Sequence, residues 1–149
     1  IFGREGLDMA MLWGAPSASQ PGAFAFRMYR NYDGAGSRFG QTSVRATSGD
    51  HTRLSIYAAE RDDHHLTIMV INKDSSDLAT TVTLANYTPQ AAAQVWRYSP
   101  ANLNAIVREA DAAVISGAIP DIAFPAQSIT LLVVPSTVTP VSMSRWDVE

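Results

Sequence analysis

From about residue 42 onward, apolar and polar residues alternate with a period of two, which is typical of β-strands that have one buried face. Short polar or Gly/Pro-containing turns separate the alternating segments. The predicted strands are residues 43–47, 53–59, 66–72, 79–84, 92–98, 105–109, 119–124 and 128–134. Eight short strands at this spacing predict a mainly β chain, in which residues 42–135 form an antiparallel β-sandwich of the jelly-roll or Greek-key kind.

Two segments of this region differ from simple alternation. Residues 66–72 carry apolar side chains at odd and even positions, so we expect this strand to be central in its sheet. Residues 110–118 fit neither period, because Ala112-Ala113-Val114-Ile115 suits a helical turn as well as a strand.

The first 41 residues follow another pattern. Leu7–Trp13 is a nearly continuous apolar run, which predicts a strand buried on both faces, as in a parallel sheet. A helix is predicted over residues 23–32, because Phe24, Met28 and Tyr32 are four positions apart and share one face.

The boundaries of this helix are marked by local signals. Pro21 suits the first turn, with Ser19 or Gln20 as the cap, and Asp33-Gly34 ends the helix. A single strand and helix cannot bury their own faces, so we expect residues 1–41 to complete a barrel or sheet that begins upstream of Ile1. Residues 136–149 are rich in Ser, Thr and Pro and are interpreted as a linker or tail.

Composition excludes several classes of partner. The net charge is -3 and the 11 Lys and Arg are scattered, so we expect neither nucleic acid nor an anionic membrane as a partner. The sequence contains no cysteine, and it shows neither a signal peptide nor an apolar run long enough for a membrane span.

Metal-binding and nucleotide-binding patterns are weak. Neighbouring strand residues point to opposite faces, so the pair His64-His65 cannot jointly chelate one ion and is interpreted as a solvated turn. The acidic turns at residues 62–63 and 74–77 offer oxygen ligands of the kind calcium takes, but acidic surface turns are common without an ion. No glycine-rich phosphate loop is present.

Trp13 ends the predicted buried strand and precedes the loop that starts at Gly14. If that strand belongs to a barrel, this is the ligand-facing rim, where a tryptophan offers a flat apolar surface to a sugar ring. Packing in the core is an equally good interpretation of Trp13 from the residues alone.

Three stretches closely resemble the end of glycoside hydrolase family 44, a family of endoglucanases and xyloglucanases often also active on xylan. They are GLDMAMLWGAP, PGAFAFRMYRNYDGAGSRFGQTSVRATS and LSIYAAERDDHHLTIMVINK, and the resemblance covers roughly residues 1–135. It implies a (β/α)8 barrel with an accompanying sandwich, and a retaining mechanism with two catalytic glutamates on the fourth and seventh barrel strands. It also implies that the sandwich can include a strand from the amino terminus of the enzyme.

By this resemblance, residues 7–13 and 23–32 are the last strand and helix of the barrel, and both glutamates precede Ile1. A retaining mechanism needs two carboxyl groups about 5 to 5.5 Å apart. Glu5 and Asp8 are the acids beside the predicted strand and match neither glutamate, so no catalytic residue is predicted in the chain. Trp13 corresponds to a tryptophan near the cleaved bond and is the predicted substrate-binding residue.

The resemblance therefore implies part of a secreted enzyme that cleaves β-1,4-glucan-type polysaccharides, with this segment inactive alone. The expected partners are the polysaccharide and the upstream barrel; no cofactor or metal site is predicted, and calcium elsewhere in the enzyme cannot be assigned to residues here. One alternative is a carbohydrate-binding module that uses Tyr57, Tyr87, Trp96 and Tyr98. A purely structural sandwich is preferred over that module, because these four residues form no alternate-position row.

Overall fold

The computed structural model describes residues 14–137 and shows one helix followed by eight strands. The elements are α1 (Pro21–Arg30), β1 (Thr42–Val44), β2 (Leu54–Glu60), β3 (Leu66–Asn72), β4 (Leu78–Thr83), β5 (Ala92–Ser99), β6 (Asn102–Ala113), β7 (Ala118–Phe124) and β8 (Ser128–Val134). The strands form a six-stranded sheet, ordered β1-β2-β3-β8-β5-β6, and a two-stranded sheet of β4 and β7. All pairings are antiparallel. The predicted antiparallel sandwich is confirmed.

β3 is the central strand that its two apolar faces predict. It pairs along its full length with β2 on one side and with β8 on the other. Its even-numbered residues face the two-stranded sheet, while Thr67, Met69 and Ile71 face the opposite side of the sheet. Both predicted bounds of β3 and of β8 agree with the structure.

The inner core lies between the two sheets. β4 and β7 contribute Val82, Ile119 and Phe124, and Phe124 is completely buried. The six-stranded sheet contributes alternate residues of its strands; the buried members are Leu66, Ile68, Val70, Ala93, Val95, Leu132 and Val134. This layer is the ordinary apolar interior of a β-sandwich.

The unassigned stretch 110–118 continues as strand. β6 extends through Ala113, because it pairs with β5 at Ala92↔Ala113 and Ala93↔Ala112. A tight turn then joins Ile115 to Ala118 by a reciprocal pair of backbone hydrogen bonds, with Ser116 and Gly117 at positive φ. The short prediction 105–109 for β6 is therefore wrong at both ends.

Helix α1 begins and ends two residues earlier than the predicted 23–32. Pro21 starts it, because proline presets the helical φ and has no N–H to leave unpaired. Gln20 is the cap residue, although its side chain makes no capping hydrogen bond. Asn31 ends the helix in an extended conformation and donates its N–H to the Arg27 carbonyl, so Tyr32 lies beyond the helix.

The predicted strand 7–13 and the predicted tail beyond residue 137 lie outside the described residues. β1 is shorter than the predicted 43–47. Within residues 14–137, no helix is long and apolar enough to cross a membrane.

Candidate functional site

The predicted substrate-binding residue, Trp13, lies immediately before the described range, so the structure does not test it. Three features of residues 14–137 are of functional interest. They are the layer between α1 and the six-stranded sheet, the turn after α1, and a groove on the inner face of that sheet.

The first feature is an apolar layer between α1 and the outer face of the sheet. Phe24 and Met28 point down from the helix, and the Phe24 ring stacks on Tyr98 of β5 with 4.8 Å between centroids. Met28 and Met69 are fully buried in this layer. Leu131 and Val133 of β8, with Tyr32, complete the cluster. The central strands of the sheet therefore pack against apolar side chains on both faces.

Tyr32 lies just beyond the helix, but it is buried in the same layer as Phe24 and Met28. Its ring contacts Trp96 with 5.4 Å between centroids, and Arg61 donates to its hydroxyl at 3.0 Å. Arg61 also bonds the Asp63 carboxylate at 2.7 Å. Burial raises the pKa of Tyr32, and the nearby Arg61 cation partly opposes that shift. The hydroxyl therefore stays neutral and joins α1 to the β2–β3 hairpin.

The turn after α1 is built by two side chains of the resembling stretch PGAFAFRMYRNYDGAGSRFGQTSVRATS. Asn31 accepts the Gly36 N–H at 2.7 Å, and Asp33 accepts the N–H groups of Ala35 and Ser37 at 2.9 and 3.0 Å. Burial acts to raise the pKa of Asp33, but its hydrogen bonds from Ser37 and Ala35 outweigh burial and the pKa is lowered. These bonds turn the chain from the helix back toward β1.

Gly40 marks a close approach between this turn and the sheet. Its N–H donates to the Thr67 hydroxyl at 2.9 Å, and that hydroxyl donates to the Ala59 carbonyl at 2.8 Å. A Cβ at Gly40 would lie 2.4 Å from the Glu60 carbonyl oxygen. Only glycine fits this contact without moving the backbone.

An open groove of about 560 Å³ lies on the inner face of the sheet beside β4. Its floor includes Leu54, Ile56 and Ala58 of β2, which are only half-buried, and its roof includes the 44–49 segment. β4 pairs with β7 on one side and has no strand partner on its other side within the described residues. The two-stranded sheet therefore leaves part of the apolar face of the six-stranded sheet uncovered.

A smaller polar cleft of about 390 Å³ lies between residues 35–41 and the β2–β3 hairpin. Gln41 donates to Asp62 at 2.7 Å across this cleft. Asp63 accepts from Arg61 and from the His65 N–H. Both aspartates of the cleft are therefore hydrogen-bonded to neighbouring groups of the chain.

His64 and the acidic turn at residues 74–77 contact neighbouring groups of the chain. His64 is exposed and lies 2.8 Å from the Glu60 carboxylate. Asp74 bonds the Arg53 guanidinium at 2.5 Å, and Asp77 accepts the Ala126 N–H at 2.8 Å. Among residues 14–137, no group of three or more His, Cys, Asp or Glu side chains is placed to hold a metal.

The four aromatic residues weighed as a carbohydrate platform do not form one. Tyr98 is buried under α1, and Trp96 is half-buried between Tyr32 and the Arg108 guanidinium. Tyr57 faces the helix layer, and the Tyr87 ring packs against the inner core on the opposite side of the sheet. Trp96 and Tyr98 therefore pack beneath α1 and the turn that follows it.

Two polar anchors were missed by sequence reasoning. The Tyr87 hydroxyl accepts the Leu66 N–H at 3.1 Å and lies 2.7 Å from the Val134 carbonyl oxygen. The Asn72 side-chain nitrogen lies within 3.0 Å of the Phe124 and Pro125 carbonyl oxygens. Asn72 is 1% exposed and follows Leu66, Ile68 and Val70 at the alternate positions of β3. A polar residue in this apolar row was the available sign of a buried hydrogen bond.

Comparison with known proteins gives consistent similarities, although no family model matches the chain. CelM2, a bifunctional glucanase-xylanase from a metagenome library, is 46% identical with a TM-score of 0.85, over 91% of this chain and 26% of CelM2. A glycoside hydrolase family 44 xyloglucanase from Paenibacillus polymyxa is 25% identical with a TM-score of 0.78, over 91% of this chain and 27% of that enzyme. Endoglucanase A from Paenibacillus lautus is 32% identical over 101 residues, 66% of this chain and 14% of that protein.

The chain thus spans between 14% and 27% of the lengths of these three proteins. The similarity covers nine-tenths of this chain in the two solved structures. Over nine-tenths of its length the chain is therefore similar to glycoside hydrolase family 44 enzymes, and it spans about a quarter of the solved ones, consistent with a carboxy-terminal portion.

Proposed function

We propose that this chain is the barrel end and supporting sandwich of a glycoside hydrolase that cleaves β-1,4-linked polysaccharides such as cellulose, xyloglucan and xylan by a retaining mechanism. The observation that carries the proposal is the 46% identity to a glucanase-xylanase across 91% of the chain. In this proposal the two catalytic glutamates lie upstream of Ile1, and the chain supplies support rather than reacting groups.

The proposed division of the chain is residues 1–41 as the barrel end, 42–135 as the sandwich and 136–149 as a linker or tail. Helix α1 suits the role of a last barrel helix because it has two apolar sides. Phe24 and Met28 are buried on the sheet, while Phe26 is 57% exposed on the other side of the helix. An upstream barrel would cover Phe26, and α1 would then join the two domains.

The open groove suits a strand from the upstream part of the enzyme. Its floor is apolar, and the free edge of β4 offers unpaired backbone groups in the described residues. An added strand would pair with β4 and cover Leu54 and Ile56. The sandwich would then be completed by the same polypeptide that forms the barrel, which couples the stability of the two domains.

Trp13 is proposed to contact the sugar next to the cleaved bond. Its predicted place at the carboxyl end of the last barrel strand puts it on the rim where barrel enzymes bind substrate. Its ring would stack on the apolar face of a pyranose while the upstream glutamates act as nucleophile and general acid. Secretion is part of the proposal, since polymeric glucans lie outside the cell.

The decisive test is hydrolysis by the purified 149-residue chain, assayed on carboxymethyl cellulose and xyloglucan. We expect no turnover by the chain alone, and turnover when the upstream portion is present in the same polypeptide. In that longer enzyme, Trp13→Ala should lower kcat/KM, whereas Trp96→Ala should affect stability more than kcat/KM. Turnover by the chain alone would contradict the proposed location of the catalytic glutamates.

Affinity electrophoresis of the chain on cellulose, xylan and xyloglucan gels separates the supporting role from that of a binding module. We expect no retardation, because Trp96 and Tyr98 are covered by α1 and its following turn. Retardation that Trp96→Ala abolishes would favour the module instead.

A further inference from the structure

The loop between β4 and β5 contains Asn86-Tyr87-Thr88, a match to the Asn-x-Thr acceptor pattern for N-linked glycans. It is the only Asn-x-Ser or Asn-x-Thr triplet in the 149-residue sequence. The pattern alone is common by chance, so the geometry of the loop decides whether a glycan can be carried there.

Asn86 is exposed and lies at the tip of a turn, with a φ of 56 degrees. Asparagine tolerates this left-handed conformation better than most residues, so the turn is unstrained. The side-chain amide of Asn86 makes no hydrogen bond to any of residues 14–137. Its nitrogen, the atom that a glycan would modify, is therefore available at the surface.

The residues beside Asn86 are held in place without it. Tyr87 is anchored through its hydroxyl to the Leu66 N–H and the Val134 carbonyl. The Thr88 carbonyl accepts both the N–H and the hydroxyl of Thr137. These bonds fix the loop with Asn86 directed to solvent, so a bulky group on Asn86 displaces no buried contact.

We propose that Asn86 is an N-glycan acceptor whenever the chain crosses a membrane that carries an oligosaccharyltransferase. The donor is an oligosaccharide linked to a lipid through pyrophosphate. The Asn86 amide nitrogen attacks the anomeric carbon of the donor sugar, forming a C–N bond as the C–O bond to pyrophosphate breaks. The lipid pyrophosphate leaves, and the amide loses one proton to the enzyme base.

The position of this glycan has a structural consequence. Ala85, the preceding residue, lines the open groove. A glycan on Asn86 would therefore stand at the end of the groove and outside its apolar floor.

The test is secretory expression of the 149-residue chain in eukaryotic cells, followed by mass spectrometry of the peptide that contains Asn86. We expect a hexose-rich glycan on that peptide, and conversion of Asn86 to Asp on release by peptide-N-glycosidase. Cells treated with an inhibitor of lipid-linked oligosaccharide synthesis should give the unmodified mass. Chain retained inside the cells is examined in the same way, because transfer precedes release.

Three variants separate the acceptor site from other effects. Asn86→Gln and Thr88→Ala should each abolish the glycan, the second while leaving the asparagine in place. Thr88→Ser should retain it, because serine also satisfies the acceptor pattern. Translocated wild-type chain with an unmodified Asn86, or a glycan that persists in Asn86→Gln, would overturn the proposal.

Discussion

The Tyr87 hydroxyl is a single group that ties the start of β3 to the end of β8. Replacing Tyr87 with Phe keeps the ring but removes the hydroxyl that pairs with the Leu66 N–H and the Val134 carbonyl. We expect Tyr87→Phe to lower the free energy of unfolding by about 1 to 3 kcal/mol, the cost of leaving such groups unpaired. Urea unfolding followed by fluorescence measures the change. Tyr57→Phe is the matched control, because the Tyr57 hydroxyl makes no hydrogen bond within residues 14–137; equal losses in both variants would contradict this role.

Gly40 gives a second prediction at the residue scale. Its missing side chain allows the turn after α1 to lie directly on the Glu60 carbonyl, so Gly40→Ala forces the backbone apart. We expect a loss of about 1 to 3 kcal/mol in the free energy of unfolding, as for other overpacked sites. A Cβ at Gly49 would have no neighbouring atom within 4 Å, so Gly49→Ala should change the melting temperature little. Two variants with the same melting temperature would exclude this steric explanation.

The pair of Asp74 and Arg53 should make the stability of the fold depend on pH. The hydrogen bond from Arg53 holds the pKa of Asp74 below the ordinary value of an aspartate. Because the pKa is lower in the folded chain, the pair stabilises the fold above the unfolded pKa, and this stabilisation is lost as pH falls through the folded pKa. Asp74→Asn should therefore lower stability at pH 7 and reduce its further loss in acid. Urea midpoints between pH 7 and pH 3 test this, and Asp74→Asn should add little in an Arg53→Gln background.

None of these three residues could be assigned its role from the sequence. The partners of Tyr87 and Gly40 lie about twenty residues away in the chain, at Leu66 and Glu60. A hydrogen bond or a close approach over such distances depends on strand register, which alternation alone does not specify. The spacing of Phe24, Met28 and Tyr32 was informative because one helical face encodes it locally.

At the scale of elements, the helix layer makes α1 part of the sandwich core. Met28 is fully buried between α1 and the sheet, so Met28→Ala should cost about 2 to 5 kcal/mol of unfolding free energy through lost contacts and a cavity. Phe26→Ala changes the exposed side of the same helix and should cost much less in the isolated chain. Thermal unfolding of the two variants compares them directly. A larger effect of Phe26→Ala would mean that the outer side carries the packing.

The bounds of a strand were predicted more accurately where the strand is more deeply buried. β3 and β8 were bounded correctly because apolar side chains cover both of their faces, and the run ends where burial ends. β6 was predicted too short because it is an edge strand whose residues are largely exposed. Polar residues on such a strand carry little alternation, so its length is set by pairing with β5.

At the scale of the whole molecule, the sequence predicts two layers but not their unequal widths. Six strands form one sheet and two form the other, and this division depends on pairings such as β3 with β8, about sixty residues apart. The uncovered floor of the open groove is a direct result. The resemblance, rather than periodicity, predicted that an upstream strand could complete the sandwich.

The open groove therefore provides the last prediction. If an upstream strand covers Ile56, then Ile56→Asp places a charge where it would be buried in the longer enzyme, and that burial is costly without a partner. The variant should lose more unfolding free energy in the longer enzyme than in the isolated chain, where Ile56 is only half-buried. It should also reduce copurification of a separately expressed upstream portion. Leu103→Asp, at the exposed start of β6, should affect both proteins equally. Equal losses for Ile56→Asp in both proteins would mean that the groove stays open.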